Sequence, residues 1–144
     1  MSQQVKVYRE LQLRDAGIIT TTKDMVIVDD ELASKRTQTA VTDTATITAA
    51  QVVTGILDGT PTAAAIYTLP TAALLVAGIA NCKVGSSFLL IVNNKSAGAF
   101  AITMAAGTGG TADGTLTVAQ NVIRAFLILI TNVTTAAYFV YGIE

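Results

Sequence analysis

The chain contains no histidine. That removes the commonest acid–base side chain and the commonest metal ligand. Serines and threonines abound, but none has an imidazole to activate it. The hydroxyl arrangement left is a Ser–Lys pair, with Lys83 or Lys95 beside Ser86, Ser87 or Ser96, and no spacing favours it. A single cysteine, Cys82, excludes an intrachain disulfide, and in its mostly apolar surroundings the thiol reads as inert filler. Charge is scarce, with 13% charged residues and a net charge of −1, so nothing attracts a nucleic acid. The longest apolar runs, near residues 74–79 and 125–130, fall far short of the roughly 20 residues that cross a bilayer. The opening MSQQVKVYREL lacks the apolar centre of a signal peptide. The expectation is a soluble, non-enzymatic protein with no cofactor, no metal, and no nucleic-acid or membrane partner.

What the chain does have is small and β-prone. Alanine and threonine make up 45 of the 144 residues, and 51% of the chain is hydrophobic. Few charges with many small residues suit tightly packed strands and surfaces that bury against other subunits. The charges that exist are gathered at one end. Residues 1–44 hold 13 of the 19 charged side chains, which divides the chain into an extended N-terminal arm, 1–44, and a β-domain, 45–144.

In the arm, Val5, Val7, Leu11 and Leu13 alternate with polar residues, the period of a strand with one buried face. Ile18 and the run Val26, Ile27, Val28 are further β-prone positions. Residues 34–43 read as a polar linker or a loosely held strand. The arm is too poor in apolar surface to fold alone, which predicts that it buries on assembly by adding strands to a partner. Val5, Val7, Leu11, Leu13, Ile18, Val26, Ile27 and Val28 are then the buried contacts, and Arg9, Arg14, Lys35 and Arg36 pair with acidic groups on the partner. Asp29, Asp30 and Glu31 are adjacent with no glycine to turn a loop, so they read as a solvated turn or helix start and not as a Ca²⁺ site.

From residue 45 onward, β-branched and aromatic runs alternate with Gly, Asn, Ser and Asp punctuation. Strands are expected over residues 45–48, 51–57, 64–69, 86–93, 99–104, 115–118, 122–131 and 136–141. Turns are expected at Asp58-Gly59, over 93–98 as a hairpin loop, over the glycine-rich 105–114, and over 132–135. Residues 71–79 form the one expected helix, capped by Thr71, with Leu74, Leu75 and Gly78 on one side. Phe88, Leu90, Val92, Phe126, Ile128 and Ile130 fall at period 2 and form the expected core. The run 126–130 is nevertheless too apolar for a strand with one wet face. The fold class that follows is all-β: a jelly-roll-like antiparallel sandwich of about eight strands with one short helix.

Motifs with chemical associations weaken on inspection. GTGGTADG at 107–114 leads into a strand, whereas a phosphate loop must open a helix. Asn94-Lys95-Ser96 and Asn132-Val133-Thr134 match the glycosylation sequon but sit where turn residues belong. The aromatics fall inside expected strands and read as core. Tyr138 and Tyr141 are the best placed to reach a surface and stack on a sugar.

One resemblance adds to this reading. YTLPTAALLVAGI at 67–79, VGSSFLLIVNNKSAGAFAITMAAGTGGTADGTLTVA at 84–119 and the late ITNVTTAAYFVY resemble small β-rich structural proteins of tailed phages and aquatic viruses. The likeness spans roughly residues 45–142 and is a pattern of strands and turns. It implies a virion location on the outer capsid surface, as a capsid decoration or cement protein. The implied partner is the major capsid protein. Other copies of the chain join it as partners, because low charge, abundant Ala, Thr and Gly and the apolar run 126–130 predict a homotrimer through the β-domain. A tail-fibre or head-fibre module that recognises host glycans is the alternative the resemblance implies.

Overall fold

The computed structural model describes residues 36–143, and they form a β-rich unit of two sheets. Ten strands and two short helices follow one another in this span. They are β1 (Thr37–Val41), β2 (Ala45–Thr46), α1 (Ala49–Thr54), β3 (Gly55–Gly59), β4 (Ala65–Thr68), α2 (Ala72–Gly78), β5 (Ser87–Asn94), β6 (Ile102–Ala105), β7 (Gly110–Gly114), β8 (Thr117–Val118), β9 (Ile123–Asn132) and β10 (Ala137–Ile143). One sheet has the order β1-β3-β5-β9-β10-β7 and the other β2-β4-β6-β8. We call them the large and the small sheet.

The chain alternates between the sheets. Each strand of the large sheet from β1 to β7 is followed by one of the small sheet, so β1, β3 and β5 stack in parallel, as do β2, β4 and β6. Gln38 lies beside Ile56 and Ile56 beside Ile91; Ala45 lies beside Tyr67 and Tyr67 beside Met104. This is a flattened coil of three turns, each turn covering the last, as in solenoid architectures. The final strands close it differently. β9 pairs antiparallel with β5, β10 folds back antiparallel on β9, and β7 joins β10 in parallel.

The expected antiparallel jelly roll is therefore corrected: five of the eight strand pairings are parallel. The physical reasons are local. Asp58-Gly59 does not turn. It ends β3, held in register because the Asp58 carboxylate accepts hydrogen bonds from Gln38 on one neighbouring strand and Asn93 on the other. The 93–98 segment is not a hairpin loop. Asn94 is fully buried, and its amide donates to the carbonyls of Phe100 (2.8 Å) and Val118 (2.9 Å), carrying the chain from the large sheet to the small one. The glycine-rich stretch contains a strand, β7, where Gly110 lies flat under the Tyr138 ring with no room for a Cβ.

The second helix is also a correction. Within the strand expected over 51–57, residues 51–54 are helical. Thr48 and Gln51 form a capping box instead: Thr48 Oγ1 accepts from the Gln51 amide (3.2 Å), and Gln51 Oε1 accepts from the Thr48 amide (2.8 Å). Gly55, at φ +81°, ends the helix in the left-handed region. The expected helix α2 is present, with Thr71 capping the Leu74 amide at 3.3 Å. Its inner side is Ala72 and Leu75, while Leu74 points to water at 63% exposure.

The core lies between the two sheets. Leu57, Leu90, Val92, Phe126, Ile128 and Val140 of the large sheet face Tyr67, Ile102, Met104 and Val118 of the small one, all essentially without exposure. Five of the six expected core residues are fully buried, and Phe88 packs partly buried at the margin. Tyr67 donates to the Val41 carbonyl at 2.8 Å. Burial, with the charge of Asp43 nearby, pushes its hydroxyl up to about 12.

Candidate functional site

β5, β9 and β10 alternate through their middles. Leu90, Val92, Phe126, Ile128, Ile130, Tyr138 and Val140 are buried inward, and the outward Leu89, Ile91, Ala125, Leu127, Leu129, Phe139 and Tyr141 are apolar or aromatic and partly exposed. The pairing register sets those outward residues side by side. Ile56, Ile91, Ala125 and Ile143 form one row across β3, β5, β9 and β10. Leu89, Leu127 and Tyr141 form the next, and Leu129 with Phe139 a third beside Ser87. The Phe139 and Tyr141 rings stack at 5.7 Å, within 10° of parallel. Ile123, 65% exposed, and Ile143, 44% exposed, extend the patch toward one end.

A polar margin bounds this face. At the end where Ala40, Asp58 and Asn93 align, Lys95 Nζ meets Asp58 Oδ2 at 2.6 Å and Asn93 Nδ2 meets Asp58 Oδ1 at 3.1 Å. The Lys95 ammonium holds the Asp58 carboxyl below its ordinary value, aided by Asn93 and Gln38 against partial desolvation. At the other margin stand Ser87 and Thr111, and Asp113 lies beside Tyr141 on β7. The three central rows from β3 to β10 carry no charged side chain. An apolar centre with a polar rim is the anatomy of a protein–protein contact.

A second feature is a shallow groove of about 560 Å³ lined by Thr71, Ala73, Thr108, Gly109, Thr134, Thr135 and Ala136. The N-terminus of α2 and the β9–β10 turn shape it. That turn is fixed by Asn132, whose Oδ1 accepts from the Thr134 amide (2.8 Å) and the Thr135 amide (3.0 Å). The groove offers hydroxyls and backbone groups, with no charged residue in its lining.

The sequence-derived site residues divide sharply. Val5, Val7, Arg9, Leu11, Leu13, Arg14, Ile18, Val26, Ile27, Val28 and Lys35, with the acidic Asp29, Asp30 and Glu31, lie outside the described residues. Arg36 lies within them. Its guanidinium donates to the Leu89 carbonyl at 2.6 Å, anchoring the start of β1 to the main chain of β5. Tyr138 is not a surface ring: it is buried, its hydroxyl donates to the Pro70 carbonyl (3.1 Å) and accepts from the Gly107 amide (2.8 Å). Burial raises its pKa. Tyr141 does reach the outer face, in the second apolar row. Full burial of Asn94 leaves no room for a glycan there, and the Asn132 side chain is occupied within its turn.

The apolar face itself was only partly signalled by sequence. The excess of Leu and Ile in 126–130 marks the strand, but the register is needed to see that Leu127 lies between Leu89 and Tyr141.

The chain matches no protein-family model, no curated protein and no solved structure.

Proposed function

We propose that this chain is a non-enzymatic virion structural protein of the capsid-decoration (cement) kind. It sits on the outer capsid surface, contacts the major capsid protein through its N-terminal segment, and self-assembles through its β-domain as a homotrimer. The observation that carries the reading is the uncharged apolar face of the large sheet, a surface of the kind that assembly covers. The strand-and-turn resemblance of residues 45–142 to β-rich virion proteins supplies the virion context, and it does not depend on the antiparallel jelly-roll form expected from the strand count. The test is co-sedimentation of the purified protein with tail-less capsids of the virus that encodes it. Saturable binding in a fixed ratio to the capsid subunit is expected. Absence of binding to capsids, with binding to host envelopes instead, would overturn it.

The threonine-lined groove favours one second reading, recognition of a host glycan by a fibre module. Its size falls within the range of small-molecule sites, and hydroxyl-lined surfaces hydrogen-bond sugars without charge. Chemical-shift changes at Thr108, Thr134 and Thr135 on titration with host oligosaccharides would support it; an unchanged spectrum would remove it.

A further inference from the structure

We infer that the outer face of the large sheet is the self-association surface, where the large sheet of one copy packs on the large sheet of another. This deepens the assembly reading above and rests on it for its biological setting.

The occupant follows from chemistry and size. A face with uncharged central rows gives a charged partner nothing to pair with, and a partner with buried polar groups would leave them unsatisfied. The matching surface must be apolar, flat and bordered by polar groups, and a second copy presents all three. Strands lie about 4.8 Å apart and rise about 3.4 Å per residue, so the outer face of β1, β3, β5, β9 and β10, with 5, 5, 8, 10 and 7 residues, covers roughly 570 Å² with its polar margin. That footprint is about seven-tenths of the ~800 Å² each partner gives to a standard stable interface.

The relief also suits a sheet-to-sheet contact. On β9, Ala125 leaves a recess next to the projecting Leu127 and Leu129, and Ala137 does the same beside Phe139 on β10. Projections of one copy can enter recesses of the other, the interdigitation that joins sheets at about 10 Å separation. A two-fold axis makes such a contact self-complementary, and around a three-fold axis one part of each sheet meets a different part of the next until the ring closes. The Asp58–Lys95 pair and Asp113 then lie at the rim, where charge sets register and stays wet.

Sedimentation velocity and light scattering on the full chain, from 1 to 100 µM, test this. The wild-type protein should run at two or three times its 14.9 kDa mass. Leu127→Glu should shift it to one chain, with far-UV dichroism unchanged. If that variant fails to fold, Tyr141→Glu, nearer the sheet margin, serves the same purpose. Leu74→Glu, an exposed residue of α2 away from this face, should leave the assembly intact. A monomeric wild-type protein at 100 µM overturns the inference, as does an unaltered assembly in folded Leu127→Glu and Tyr141→Glu. Capsid co-sedimentation separates this from the functional reading. Wild-type assembly without capsid binding defeats decoration and leaves the interface standing. Capsid binding by a monomeric wild-type protein defeats the interface and leaves decoration standing.

Discussion

Phe126 and Leu127 are adjacent on the central strand β9, and the structure assigns them opposite fates. Phe126 is fully buried between the sheets, paired across the ladder with Leu90 and Gly142. Leu127 is half-exposed on the outer face, between Leu89 and Tyr141. Truncating a fully buried phenylalanine loses its transfer free energy and leaves a cavity, together about 3–5 kcal/mol. Truncating Leu127, partly exposed on the outer face, loses part of a leucine's burial and leaves no enclosed cavity, on the order of 1–2 kcal/mol. Urea denaturation followed by circular dichroism reads both, with the slope unchanged if each variant keeps its fold. Each kcal/mol moves the thermal midpoint of a chain this size by roughly 3–5 °C, so Phe126→Ala should melt about 10–20 °C early. Association adds a concentration-dependent component, so both variants are measured over a dilution series. The Leu127→Ala loss should shrink on dilution as the wild-type assembly dissociates, while the Phe126→Ala loss should persist. A loss under about 1 kcal/mol for Phe126→Ala, with the larger loss at Leu127, would mean that the register is inverted and the outer-face argument collapses.

Thr48→Ala removes the hydroxyl half of the capping box and should cost about 1 kcal/mol in the same denaturation assay, with Thr48→Ser largely restoring it. Tyr67 and Tyr138 have raised pKa values when folded, so their neutral hydroxyls contribute stability that is fully present below pH about 10. It declines as pH rises from there and, for Tyr67, is gone above about 12. Absorbance near 295 nm should show these two ionising late and together with unfolding; early, reversible titration of all tyrosines would contradict their burial. Removing residues 1–44 should lower the midpoint of the β-unit clearly. The deletion takes away β1, the carbonyl acceptor of the buried Tyr67 hydroxyl, and the Asp43 carboxylate that accepts from Thr62.

How much of this was legible in the sequence depends on how far each signal reaches along the chain. Period-2 alternation is a property of neighbours two residues apart, and in β5 and β9 it placed Leu90, Val92, Phe126, Ile128 and Ile130 inside; β10 was located as a strand, but Tyr138, expected to reach the surface, is one of its buried residues. The cap at Thr71 is equally local and located α2. α1 is local too, signalled by the Thr48–Gln51 spacing of its capping box, a signal that the strand expectation over 51–57 did not use. Pairing is different. Whether a strand end such as Asp58-Gly59 reverses the chain depends on Gln38 and Asn93, 20 and 35 residues away, which no local pattern reports. A single buried amide, Asn94, decides that the chain crosses to the small sheet instead of folding back as a hairpin.

An alternating strand names two faces without saying which neighbours complete each one, so Leu127 and Leu129 read from sequence as a puzzling excess. Once β5 and β10 are laid beside β9, the excess becomes three adjoining rows. Each row is built from residues contributed by separate strands, Leu89 by β5, Leu127 by β9 and Tyr141 by β10, so no single segment could have displayed it. A fold that winds the chain back and forth between two sheets collects such residues on one side at no cost to its core. The apolar outer face can then be tuned by substitution at outward positions alone, leaving Leu90, Phe126 and Val140 untouched behind it. That independence is why a charge at Leu127 is expected to abolish association while the fold survives.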